Sequence, residues 1–273
     1  MIVVMISLAV VLMVSGSQIQ QLPIPYAEVA IGFLLSVFLD LFVKIYGMYS
    51  IPRKYLNVSI DSFAIRFLFS VWLSSGYTFA KIIKAMIVPF REQQTCTVDD
   101  RCSCVKYLKG MFIYRSNQGN LFLSVLILVL LTVMEFCGFE LKQVPYGGVI
   151  IAAVIFRVIS RSFEITYAFT KDVLSKNKET NSDLDKYDRV RLALCSYIEN
   201  VLNFGAVYYI FSSVNSNLEA NVGTSVLESI GTATISRVHQ SGCYFESALV
   251  NLQVVTTLAL VVLSLATYLS REQ

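Results

Sequence analysis

The strongest constraint on this chain is a series of apolar runs, each near the length that crosses a lipid bilayer, separated by short charged connections. A spanning helix needs roughly 20 mostly apolar residues, since each adds only 1.5 Å of rise. Ala27–Tyr46, Leu121–Phe139, Gly147–Phe163, Leu192–Phe211 and Leu249–Leu269 fit, and the shorter Met1–Val14 makes a sixth. No basic stretch precedes Met1–Val14 and no small-residue cleavage site follows it, so it reads as a retained helix and not as a signal peptide. Hydrophobic residues make up 55% of the chain and charged residues 15%, well under the roughly 25% of soluble domains. The expected fold is therefore all-α: a polytopic transmembrane bundle of about six spans, with an interfacial helix and a re-entrant, pore-like helix.

Asp61–Phe90 is the ambiguous segment. Its apolar part, Phe67–Ala80, is short and is bracketed by Arg66, Lys81 and Lys84. Lysine and arginine favour cytoplasmic loops. Arg53 and Lys54 lie before the segment, and Arg91, Arg101, Lys106, Lys109 and Arg115 lie after it. A single crossing between them would send one group outside. An amphipathic helix lying in the interface keeps both inside, and a re-entrant hairpin satisfies the same rule. Ser15–Tyr26, Glu140–Tyr146 and Ser212–Ala248 are poor in lysine and arginine and fall outside, whereas Arg157–Arg191 and the tail with Arg271 fall inside. Both termini are then cytoplasmic in a multi-pass protein of a cell membrane, with a bacterial inner membrane the expected location. The chain divides into an N-terminal bundle, 1–170, with its cytoplasmic interfacial segment 61–118; a polar cytoplasmic linker, 171–191; and a C-terminal unit, 192–273.

That C-terminal unit has two long apolar runs flanking an outer loop. Within the loop, Val222–Ser236 is of helical length, semi-apolar and rich in small and hydroxyl side chains. It is too polar to span and too apolar to float in water, so it is expected to dip into the membrane against protein. The runs Phe163–Asp172 and Arg191–Ile210, the segment Val226–Ile235 and the closing run Leu249–Leu269 resemble, in turn, the approach to the pore, the pore helix and the inner helix of bacterial membrane proteins of the potassium-channel-like two-helix pore family. The resemblance implies a homo-oligomer, with a tetramer as the guess, whose pore or filter candidates are Thr232, Thr234, Ser236, Arg237 and His239. Where the family carries a Thr-Val-Gly-Tyr-Gly strand, this chain reads Ile235-Ser-Arg-Val-His-Gln. Without those glycines, and with the charge of Arg237 near the mouth, the implied path is poorly selective.

Several polar residues fall inside apolar runs. Glu199, with Asn203 nearby, either faces water or braces the re-entrant helix, or else bonds to Asn200, Asn203 or backbone on a neighbouring helix. Asp40 and Lys44 lie four apart on one helical face and are expected to pair with each other. Arg157 and Arg161 are also four apart, and lacking further members of the row they read as headgroup anchors and not as voltage sensors. Glu135 is expected to reach the outer interface. Cys96, Cys102 and Cys104 read as free thiols in preference to a zinc site, and Cys243 as an unpaired outer thiol. A single histidine, His239, excludes a multi-histidine metal centre. No nucleophile elbow, phosphate loop or catalytic triad is found, so neither an enzyme nor a cofactor is expected. The net charge of +3, dispersed over short loops, is not a nucleic-acid footprint. Expected partners are the lipid bilayer and further copies of the chain. The alternative is a non-conducting scaffold, or an antiphage or stress effector, that anchors a cytoplasmic protein through Arg91–Arg115 or Lys171–Arg191. A small transporter ranks third, because broken helices in matching halves are not seen.

Overall fold

A computed structural model describes residues 24–49, 51–56, 74–87, 98–139, 141, 144–174, 184, 186–214, 221–236 and 244–270. Among these the protein is all-helical. The helices are α1 (Tyr26–Met48), α2 (Ser75–Met86), α3 (Val98–Phe136), α4 (Gly147–Leu174), α5 (Lys186–Val214), α6 (Val222–Ala233) and α7 (Tyr244–Ser270), with a 3-10 turn at Arg53–Tyr55. The run Met1–Val14 and most of the stretch before α2 lie outside the described residues.

The polarity of the fold is inverted. Leu34, Phe38 and Phe42 on α1 are 65%, 62% and 60% exposed, and Phe122, Leu130 and Val133 on α3 and Val261 and Val262 on α7 also face outward. Arg157 and Glu199 are fully buried, and Asp40, Lys44, Arg161 and Glu164 nearly so. Water would select the opposite distribution, whereas hydrocarbon selects this one.

Three helices are long and apolar enough to cross a membrane: Tyr26–Met48, Cys104–Phe136 and Tyr244–Val262. Length and apolarity therefore support three spans and not the six read from the sequence. Two of the missing runs are α4 and α5. The first carries Arg157, Arg161 and Glu164, and the second Glu199, Asn200 and Asn203. Their apolar sequence is interrupted because these two helices sit inside the bundle and present polar side chains to neighbours.

α4 is central, packing on α1, α2, α5 and α7. Its approach to α1 is close because α1 offers Gly32 and Ser36, one turn apart. A Cβ on Gly32 would lie 2.5 Å from Ala152 Cβ and 2.8 Å from the Val149 carbonyl oxygen. Small residues at four-residue spacing allow such contact between helix backbones. An apolar cluster joins α3, α4, α5, α6 and α7 around Leu131, Val154, Phe204, Tyr208 and Leu249. A second, smaller cluster holds α2 against α3 through Ala80, Ile83, Ile87, Leu108 and Phe112. The ionised side chains lie in a layer between the two.

Candidate functional site: a buried charge network and a half-length helix

The layer is assembled from five helices. Arg157 Nη1 donates to Asp40 Oδ1 at 2.6 Å, and its Nη2 donates to Asn120 Oδ1 at 3.0 Å. Asp40 also accepts from Ser75 Oγ of α2 and, at 2.8 Å, from Ser160 Oγ. One turn further along α1, Lys44 Nζ donates to Glu164 Oε1 at 2.6 Å and to Ser116 Oγ at 3.0 Å. The other oxygen of Glu164 accepts from Arg161 Nη1 at 2.9 Å. Arg161 grips Glu199 with Nε at 2.6 Å and Nη2 at 2.8 Å, and donates to Asn117 Oδ1 at 2.7 Å. Ser196 Oγ donates to the same Asn117 oxygen at 3.1 Å.

Three carboxylates, Asp40, Glu164 and Glu199, thus meet three cations, Lys44, Arg157 and Arg161, and the layer is neutral. An isolated charge buried this deeply would cost several kcal/mol, so pairing at bonding distance is the condition for the layer to exist. Two buried donors in it, Arg157 Nε and Asn120 Nδ2, have no acceptor among the described residues.

Two sequence expectations are corrected here. Asp40 and Lys44 do not pair with each other. Each turns to α4, because the Gly32–Ser36 face brings α1 against that helix and its charges. Arg157 and Arg161 are not headgroup anchors, since both guanidiniums are buried between helices. The choice left open for Glu199 resolves to Arg161 as its partner. The spacing of Asp40/Lys44 and of Arg157/Arg161/Glu164 marks a charged face on each helix, which is the signal the sequence offers, but it does not say which faces meet.

α2 meets the layer end on. Ser74 accepts from the Tyr77 amide at 3.3 Å as the helix cap, and its hydroxyl donates to the Ser160 carbonyl at 3.0 Å. Gly76 is pressed against Glu164, whose Oε2 would lie 2.6 Å from an added Cβ. The positive end of the α2 dipole therefore points toward Asp40 and Glu164.

The second feature is α6. Glu135 does not reach the outer interface as a free carboxylate. It accepts from the Val222 amide and from Asn221 Nδ2, both at 2.9 Å, while Asn221 Oδ1 accepts from the Thr224 amide at 3.0 Å. Two caps thus satisfy the amides at the start of α6. Further along, Gly205 admits Val226, whose Cγ2 lies 2.9 Å from where a Cβ on Gly205 would be. Ser229 Oγ then donates to the Val201 carbonyl at 2.7 Å. Gln253 Nε2 donates to both the Ser229 carbonyl and its hydroxyl at 2.9 Å, and Tyr208 Oη donates to Gln253 Oε1 at 2.5 Å. Asn200 Nδ2 donates to Thr257 Oγ1 at 3.1 Å. α6 therefore runs antiparallel to α5 and is fastened between α5 and α7.

Thr232 is 1% exposed, packed into this junction. Thr234 and Ser236 are exposed and bonded to each other at 2.8 Å. Ile235 has φ of 58°, with its amide bonded to the Thr232 carbonyl and the Ser236 amide to the Gly231 carbonyl. This is a Schellman turn with a β-branched residue in the position that favours glycine. Asn203 is buried in α5. Arg237 and His239 lie outside the described residues, as do Cys96 and Cys243, while Cys104, Cys137 and Cys195 are free thiols. Among the described residues no cluster of His, Cys, Asp and Glu has the makings of a metal site. Comparison with family models, with curated proteins and with solved structures finds no match.

Proposed function

We propose that this chain is a multi-pass membrane protein of six spans, with both termini cytoplasmic, whose α5–α6–α7 unit borders a poorly selective ion path in a homo-oligomer. The carrying observation is the descent of α6. It starts level with Glu135 near the outer end of α3, and its Ser229 contacts Val201, 13 residues before Val214 at the end of α5. At 1.5 Å per residue Ser229 lies about 20 Å below the top of α5, and α6 ends one turn further on, at Ala233. A half-length helix between two full-length ones is the layout of a pore module. The non-helical backbone at its foot is tolerated at membrane depth only beside protein or water. Thr234 and Ser236 are the exposed hydroxyls at that foot, and they are assigned to the path. Thr232, packed against α5, supports the wall and does not face the path.

Neutral pairing lets α4 and α5 cross despite their charges, which supports counting them with the three apolar spans; the sixth is counted from the apolar sequence of Met1–Val14 alone. Reconstitution into liposomes tests the reading. Ion flux is expected, and attaching a charged thiol reagent to Thr234→Cys or Ser236→Cys, in a background without native cysteines, is expected to change it several-fold. A folded, inserted protein that passes no ions would overturn conduction and favour the scaffold reading. That second reading rests on α3, whose 39 residues extend about 58 Å, far beyond one bilayer core, and so offer an anchoring surface.

A further inference from the structure

Three lysines from three helices stand at one level, inward of the neutral charge layer. The Lys44–Glu164–Ser116 contact fixes that level on α4 and α3, and the contact of Gly76 with Glu164 fixes it on α2. Moving two turns along each helix, about 10 Å, leads from Glu164 to Lys171, from Ser116 back to Lys109, and from Gly76 to Lys84. The register is held between these points by Tyr77 of α2 packed edge-on against Tyr167 of α4 at 4.6 Å, and by Ile83 with Leu108 and Phe112 in one cluster. Lys84 and Lys109 directly follow Ile83 and Leu108, so they flank the same apolar contact.

None of the three lysines forms an ion pair among the described residues. The nearby carboxylate, Glu164, is already held by Lys44 and Arg161. Burial pushes the Lys84 ammonium down to about 8. Repulsion from Lys44 adds to this, Glu164 opposes it, and Lys171 and Lys109 contribute further repulsion. Lys84 and Lys109 are half-buried and Lys171 is exposed, and a group of cations with no counter-ion among the described residues calls for an anion. The surroundings select its kind. Tyr46, Tyr49 and Tyr107 are exposed at the same end, in the manner of an interfacial aromatic belt.

We propose that Lys84, Lys109 and Lys171 together bind the phosphate of an anionic phospholipid headgroup. The inference rests on the membrane reading above, but not on ion conduction.

The test uses the full chain in nanodiscs of phosphatidylcholine with a minor fraction of phosphatidylglycerol, followed by native mass spectrometry of the retained lipid. Near the surface each lysine strengthens anionic-lipid binding several-fold, so a preference for phosphatidylglycerol on the order of 100-fold is expected. The Lys84→Gln/Lys109→Gln/Lys171→Gln protein should lose most of it. The Lys81→Gln/Lys106→Gln/Arg115→Gln protein, with the same net charge, should keep it within about threefold. Equal loss in both variants, or no preference in the unmodified chain, overturns the site. Displacement of the lipid by millimolar inorganic phosphate would mean a free-anion site and overturns the lipid assignment. Should the first variant fail to assemble, acylation of the unmodified protein decides. Phosphatidylglycerol should protect Lys84, Lys109 and Lys171 several-fold while leaving Lys81 reactive, and equal reactivity overturns the proposal. Failure of the chain to enter nanodiscs would instead refute the membrane reading.

Discussion

Replacing Arg161 with methionine is the sharpest test of the charge layer. The guanidinium makes four bonds of 2.6–2.9 Å: two to Glu199, one to Glu164 and one to Asn117. Methionine fills much of the space but leaves Glu199, which is fully buried, without a cation. Glu164 retains Lys44, and Asn117 Oδ1 still accepts from Ser196, so the damage concentrates on Glu199. Removing one member of a buried pair typically costs about 3–5 kcal/mol, and about 4 kcal/mol is expected here. The Arg161→Met/Glu199→Met protein keeps two balanced pairs, Asp40–Arg157 and Lys44–Glu164. It is expected to lie within about 2 kcal/mol of the unmodified chain, because replacing a whole buried pair with apolar side chains is often nearly neutral. The double change should therefore be less damaging than Arg161→Met alone, with a non-additivity of at least about 2 kcal/mol. Reversible denaturation in mixed micelles, followed by circular dichroism, measures the unmodified chain, Arg161→Met, Glu199→Met and the double variant. A loss below about 1 kcal/mol for Arg161→Met, or strictly additive single changes, would show that the guanidinium is not the partner Glu199 depends on.

Other elements give independent tests. Gly32→Ala puts a methyl 2.5 Å from Ala152 Cβ, forces α1 and α4 apart and should cost about 1–3 kcal/mol in the same assay. Ile235→Gly relieves the left-handed turn and should stabilise the protein by about 1 kcal/mol, read as a raised melting temperature. Glu135→Ala removes the acceptor of the Val222 amide, so amide exchange over Val222–Thr224 should accelerate while α7 is unchanged. Lys84 titrates near 8 in the fold, below its ordinary 10.5, so its charged form opposes folding. The docking of α2 should be weakest below pH 8 and strengthen as pH rises from 8 toward 10.5, seen as larger protection factors for the α2 amides after correction for the pH dependence of intrinsic exchange.

The helices were legible in the sequence because their apolar runs are long, and the observed helices overlap every run that falls among the described residues. α6 was legible from a semi-apolar, hydroxyl-rich composition that suits neither water nor lipid. The charge layer was not. Asp40, Lys44, Arg157, Arg161, Glu164 and Glu199 are each visible in the sequence, but local spacing links residues only within a helix. Pairing across helices depends on which faces meet, and that is set by Gly32, Ser36 and Ala152. Reading Arg157 and Arg161 as headgroup anchors followed from treating each helix as if it faced lipid alone. The cap supplied by Glu135 was equally out of reach, since 87 residues separate it from Val222.

The neutrality of the interior layer also orders events during biogenesis. α1 emerges from the ribosome long before α4, carrying an aspartate and a lysine whose partners in the fold, Arg157 and Glu164, are made only later. In an integrating membrane protein, α4 in turn would enter lipid with an excess arginine until Glu199 arrives on α5. If α4 and α5 cross the membrane as proposed, their insertion would be cooperative, with the early helix held until the late ones arrive to close the ion pairs.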